Sequence, residues 1–193
     1  MSSFVLIVLT HYGRKHRYKL KTWTYKLKLA RKGKMGKILF DYDVYMCYVY
    51  EDDRTMEEIR LFLEDKSSLK CCIPHRNLGA CDTDNVTALE QSLEKSASTV
   101  VLWSRAALAS KWHKAEYKMA RHIELHRNFD FRVVNIYVED LSDVADENIK
   151  QIMTSGEYMQ WNNQATDAQK QQFFERLLSK IYRRLAATPG LLL

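Results

Sequence analysis

The side chains that could do chemistry are mostly carboxylates. Glu51-Asp52-Asp53 follows the apolar run Tyr42-Asp43-Val44-Tyr45-Met46-Cys47-Tyr48, and Glu116 stands four residues beyond Trp112. An acidic loop after a first strand suits a phospho-accepting centre. Such a centre also needs an aspartate after the third strand, where Ser104-Arg105 stands, and a lysine ending the fifth, which is missing. His122 and His126 lie four apart on one helix face, a spacing that can grip a metal. They read HxExH rather than HExxH, no third ligand accompanies them, and an exposed helix end explains both, so no metal is expected. No GxGxxG follows the first strand and no GxxxxGK occurs, which removes nucleotide binding through a glycine cradle. No Ser-His-Asp arrangement can be assembled from the sequence.

The elements that position these groups alternate. Tyr42–Tyr48 has the composition of a strand covered on both faces. Thr55-Met56-Glu57-Glu58 has a capping-box pattern, followed by a helical stripe of Met56, Ile59 and Leu63. Leu69–Ile73 reads as strand two, stopped by Pro74, and His75–Asp84 as a polar loop with Asp82 to Asp84 as candidate caps. Val86, Leu89 and Leu93 mark a helix, and Thr99–Trp103 is rich in β-branched and aromatic residues. A helix over 111–125 is expected to bury Trp112, Ala115, Met119 and Ile123. Strand four is expected at 132–138, a short helix at 147–153 and strand five at 158–161. Thr166-Asp167-Ala168-Gln169 then caps a helix carrying Phe174, Leu177, Leu178, Ile181 and Leu185. Strand–helix alternation implies a parallel sheet with helices on both faces. Crossover handedness makes a flavodoxin-like α/β three-layer sandwich with five parallel strands the expected fold. In such a sheet, ligands and partners gather at the carboxyl ends of the strands, beside strand one.

Composition divides the chain. Of its 193 residues, 46% are apolar and 28% charged, as in ordinary globular proteins. The net charge of +6 hides an asymmetry: residues 1–40 hold 11 Lys or Arg and no acid, leaving −5 on the remainder. Four cysteines without CxxC spacing suit a reduced compartment, with Cys47, Cys71 and Cys72 as small core residues. Phe4–Leu9 is apolar but too short for a bilayer, which needs ~20 residues, and it lacks signal-peptide flanks. A basic stretch with Tyr18, Trp23 and Tyr25 interleaved follows, as at the cytoplasmic exit of a membrane helix. The expected organisation is a transmembrane remnant at 1–9, a basic juxtamembrane segment at 10–37, a globular domain at 38–186 and a tail at 187–193. A solvated basic arm and a segment lying on anionic lipid are the other readings of the basic stretch. Nucleic acid is not an expected partner, since no recognition motif backs the charge.

Five motifs in order carry a family resemblance. Tyr42–Tyr48 is a Tyr-Asp strand ending in Cys-Tyr; Leu93-Glu94-Lys95-Ser96 leads into Thr99-Val100-Val101-Leu102-Trp103-Ser104; and Ser110-Lys111-Trp112 runs through Glu116 as Ser-x-Trp-x-x-x-Glu. Tyr158-Met159-Gln160-Trp161 and Phe173-Phe174 complete the set. Over approximately Asp41 to Leu185 the chain resembles the Toll/interleukin receptor (TIR) domain, above all the cytoplasmic domain of Toll-like receptors. The departures are His113 for a frequent cysteine, and Arg76-Asn77-Leu78-Gly79-Ala80-Cys81 where relatives have Arg-Asp with Pro-Gly shortly after. Without that proline the loop tip is looser.

The resemblance implies innate-immune signalling at the cytoplasmic face of a membrane, by assembly with TIR domains of the same protein and of adaptors. Arg76, Asn77, Leu78, Gly79, Ala80 and Cys81 would then form the interaction loop, and no cofactor is needed. Its alternatives are a cytosolic TIR adaptor and an NAD hydrolase. In the hydrolase, NAD is the substrate and Glu116 the catalytic carboxylate, steadying an oxocarbenium-like transition state as nicotinamide leaves. Hydrolases of the axon-degeneration type tend to carry basic residues after strand one. Tyr50-Glu51-Asp52-Asp53 would instead repel a pyrophosphate, which favours the scaffold.

Overall fold

The computed structural model describes residues 40–77, 86–127 and 131–182. Expectations for the amino-terminal segments, for Leu78, Gly79, Ala80 and Cys81, and for Leu185 and the tail fall outside these residues. Five strands form one sheet: β1 (Val44–Cys47), β2 (Cys71–Cys72), β3 (Ser98–Trp103), β4 (Arg132–Tyr137) and β5 (Tyr158–Gln160). Their order is β2-β1-β3-β4-β5 and every pairing is parallel, as the strand–helix alternation predicted. The helices are α1 (Asp53–Leu61), α2 (Pro74–Asn77), α3 (Val86–Glu94), α4 (Arg105–Ala109), α5 (Lys111–His126), α6 (Glu147–Ser155) and α7 (Asp167–Tyr182).

Side chains alternate across the strands, so each strand feeds two cores. Val44, Met46, Val100, Leu102, Val134 and Ile136 face α1 and α7, where Ile59, Leu63, Leu177 and Ile181 meet them. Tyr45, Cys47, Val101, Trp103 and Tyr137 face the opposite layer, built from Leu89 and Leu93 of α3, Ala120 and Ile123 of α5, and Ile149 of α6. Cys47, Cys71 and Cys72 are buried free thiols, as their strand positions predicted. The first-motif aspartate has a local task. Asp43 accepts the Lys70 N–H at 2.8 Å, fixing the entry of β2 beside β1, while its carbonyl accepts the Ser98 hydroxyl at 2.9 Å.

Chain ends of elements follow local chemistry. Thr166 and Gln169 form the expected capping box, with the Thr166 N–H donating to Gln169 Oε1 at 2.9 Å and the Gln169 N–H returning to Thr166 Oγ1. Gly156 ends α6 at φ 65°, a left-handed turn that disfavours any side chain. The other capping-box expectation is corrected: a 3-10 turn, Tyr50–Asp52, leads into α1, so Thr55 lies inside the helix and is buried. Strand two shrinks to two residues, and Val86 is exposed rather than part of the α3 stripe.

Phe62, where α1 runs on through a wide π-type turn, stacks on Phe174 of α7 with centroids 4.0 Å apart. This contact joins the two helices of one layer. Phe174→Ala is expected to cost about 3–5 kcal/mol in urea-induced unfolding, the range for emptying a buried aromatic site. A loss below about 1 kcal/mol would mean that the layer closes over the gap.

Candidate functional site

The carboxyl ends of β1, β3 and β4 lie side by side, and α5 crosses beneath them. Ser110 caps α5 by accepting the His113 N–H at 3.1 Å, which sets the helix start directly after β3 and α4. Helix α5 buries His113, Glu116, Tyr117, Ala120 and Ile123, not the expected stripe of Trp112, Ala115 and Met119 with Ile123. Of those four only Ile123 is buried; Ala115 is exposed and Trp112 is 37% exposed. The stripe misled because it counted only apolar residues as inward-facing.

Glu116 is only 4% exposed. Its Oε1 accepts the Tyr45 hydroxyl and the Trp112 indole N–H, each at 3.1 Å, and its Oε2 accepts the Cys47 thiol at 3.2 Å. Burial holds its pKa above the usual carboxylate value, although all three donors pull the other way. Burial also lifts Tyr45 and Cys47, and the neighbouring Glu116 charge adds to both, so these two groups stay protonated and keep donating. Tyr45 and Cys47 point to the same side of β1, two residues apart, which is why one carboxylate reaches both.

His113 is 1% exposed and stands edge-on to Trp103 at 4.9 Å, as Tyr117 does on the same indole. Among the described residues neither ring nitrogen makes a well-formed hydrogen bond, though the backbone carbonyls of Leu102 and Cys47 come near enough to favour the proton weakly. Burial dominates, and pushes the imidazole down to about 4. Trp103 in turn donates to Asn135 Oδ1 at 3.0 Å, binding β3 to β4 below the site.

The rim is acidic. Asp52 is buried and accepts the Ser104 hydroxyl at 2.7 Å, while Ser104 caps α4 by accepting the Ala107 N–H. Burial raises the Asp52 pKa against that hydrogen bond. Glu51 and Asp53 are exposed beside it. The loop after β4 adds Glu139, Asp140 and Asp143, of which the first and last pair with Arg105 at 3.5 and 2.8 Å. Sequence reasoning found the acidic trio after β1 but missed this second group. It also missed Tyr45 and Cys47 as partners of Glu116, although their i, i+2 spacing on a strand was the available signal.

The other expected site residues lie apart from Glu116, at the β2 edge. Asn77 ends the short helix α2. The Arg76 side chain is 46% exposed, and its guanidinium donates to both oxygens of Glu64, at 2.7 and 3.2 Å, and to the Cys71 carbonyl at 2.9 Å. The rings of His122 and His126 lie 3.9 Å apart, tilted by 37°, and no group of three metal-ligating side chains occurs among the described residues.

This chain belongs to the TIR domain family, whose profile matches residues 44–178. A comparison with curated protein sequences gives no match. Among solved structures, the chain is similar to the TIR domain of the Toll-related receptor TRR-2 from Hydra magnipapillata, at 17% identity and a TM-score of 0.54. That likeness covers 74% of this chain and 98% of the receptor domain. It is also similar to a metazoan TIR-STING receptor from C. gigas at 14% identity and a TM-score of 0.51, over 80% of this chain and 43% of that one. At such identities the likenesses speak for the fold alone.

His113 sets an acid limit on this arrangement. An imidazole at about 4 in the fold, against an ordinary 6.5, leaves the unfolded chain as the better proton binder between those values. Its contribution is therefore complete above pH 6.5 and is lost as the pH falls toward 4, by roughly 3 kcal/mol. The unfolding free energy of the wild type minus that of His113→Phe should fall by that amount across the window. A pH-independent difference would mean that the imidazole is already solvated.

Proposed function

We propose that this TIR domain signals by homotypic TIR–TIR assembly at the cytoplasmic face of a membrane, as the cytoplasmic part of a Toll-like or interleukin-receptor-like protein. The observation that carries this reading is the state of Glu116. Both of its oxygens are engaged by side chains of its own fold, so the carboxylate serves to fix α5 against β1. A carboxylate that stabilises a departing nicotinamide must instead face the ribose. The rim favours the same reading, because Glu51, Asp53, Asp140 and the ion-paired Glu139 and Asp143 would oppose a pyrophosphate entering over these strand ends.

The partners proposed are TIR domains of a second copy and of adaptors, engaged through the loop that begins at Arg76. The pair of Arg76 with Glu64 would anchor the start of that loop while leaving about half of the arginine accessible. No helix among the described residues is long and apolar enough to cross a membrane. The membrane contribution in this reading comes from the basic segment at 10–37, where each cation near an anionic surface adds about 1 kcal/mol. Weak contacts then gain from the raised effective concentration at the surface.

Two measurements test this. With the full chain held densely on anionic vesicles, neither wild type nor Glu116→Gln should release nicotinamide from NAD. Release by the wild type that vanishes in Glu116→Gln would make the protein a hydrolase. Separately, Arg76→Ala combined with Leu78→Ala should reduce clustering on those vesicles by at least about tenfold, the effect of losing an interface hot spot. Unchanged clustering would move the contact to another surface.

A further inference from the structure

A second surface, far from Glu116, has the composition of a docking pocket. It lies between the end of β5 and the first turns of α7, with a volume of about 190 Å³. Partly buried Phe173 gives its aromatic surface, backed edge to face at 5.0 Å by Trp161, which is itself only 3% exposed. Lys170 sits over the Trp161 ring at 5.6 Å and is paired with Glu58. Arg176 stands exposed on the lining, and no ion pair holds it among the described residues. The volume is below the ~300–1,000 Å³ of pockets that enclose drug-sized ligands, so the pocket suits one inserted side chain. An aromatic wall beside an uncompensated cation calls for an aromatic residue flanked by acid.

The chain itself carries such a segment. Tyr50 is 81% exposed, the most exposed large apolar side chain among the described residues, and among them no side-chain hydrogen bond or ring contact holds it. Glu51 and Asp53 beside it are exposed and without ion pairs among the described residues. The turn is held rigid from below: the Asp52 N–H donates to the Val49 carbonyl at 2.9 Å, and the buried Asp52 carboxylate holds Ser104. Ordering this segment on binding therefore costs little. Tyr50 does not line its own chain's pocket.

We propose that the Tyr50–Asp53 turn of one copy docks into the Trp161–Phe173–Arg176 pocket of a second copy. Tyr50 packs against Phe173, which Trp161 supports from behind, and Glu51 or Asp53 pairs with Arg176. Tyrosine and arginine are among the residues that dominate interface energetics. Because the turn and the pocket are different surfaces, the contact is heterologous, and each added copy presents a fresh turn and a fresh pocket. This rests on the assembly reading above and names surfaces for it that the Arg76 loop does not include.

The test is sedimentation velocity on the full chain over a rising concentration series, in solution and on anionic vesicles. Tyr50→Ala alone and Arg176→Glu alone should each weaken self-association by at least about tenfold. Mixed one to one, these two variants should stop at discrete dimers, since only one intact turn and one intact pocket remain per pair. Glu51→Arg should restore association to Arg176→Glu. All three positions are exposed, so far-ultraviolet circular dichroism should match the wild type. Variants that assemble like the wild type would overturn this pairing and leave assembly itself standing. A wild type that stays monomeric both in solution and on vesicles would overturn the pairing and the assembly reading together.

Discussion

A carboxylate cannot be taken out of water unless donors replace the water, and Glu116 imposes that condition on the whole domain. Meeting it requires Tyr45 and Cys47 on one side of β1 and Trp112 one turn earlier on α5. With those three donors in place, the rotation of α5 about its own axis is fixed. His113 is then carried inward under β1 and β3, and Tyr117 and Ala120 complete the packing on Trp103 and its neighbours. A helix turned to bury Trp112, Ala115 and Met119 would leave Tyr45 and Cys47 with no acceptor. The buried polar cluster thus specifies one orientation where apolar packing alone would permit several.

The same condition separates two kinds of charge at the strand ends. Asp52 is buried and answered by the Ser104 hydroxyl, which also caps α4, so that carboxylate belongs to the framework. Glu51, Asp53 and Asp140 remain in solvent, where they shape the field without holding the fold together. Arg105 offsets part of the field through Glu139 and Asp143, yet the rim stays negative. A surface of this sign suits contact with a basic partner better than capture of a phosphorylated one. On the far side of the sheet, the Phe62–Phe174 stack and the Lys170–Glu58 pair join α1 to α7 and leave the aromatic pocket at the sheet's open edge.

Period and chemistry made much of this legible in the chain itself. The short apolar run at β1 announced a strand covered on both faces, the β-branched and aromatic run at β3 announced another strand, and Thr166-Asp167-Ala168-Gln169 announced the start of α7. The stripe Phe174, Leu177, Leu178, Ile181 was read correctly because every residue in it is apolar. The α5 stripe was misread because its inward face carries His113 and Glu116, which a count of apolar residues sends to solvent. Thr55 failed as a cap for a related reason: the chain starts turning at Tyr50, and the threonine's local preference yields to the packing of α1.

The sequence by itself determined the order and type of the elements, the parallel sheet, the asymmetry of charge and the family, because each is written in local periodicity or in motifs. Tertiary structure alone decided what the carboxylates do. Glu116, Asp52 and Glu51 are the same chemistry in the sequence. Only long-range contacts, with Tyr45 and Cys47 some seventy residues from Glu116 and Ser104 fifty-two from Asp52, make two of them framework and leave the third at the surface. The physical reason is that burial and hydrogen-bond partnership are properties of a site, assembled from distant segments, and no residue carries them alone.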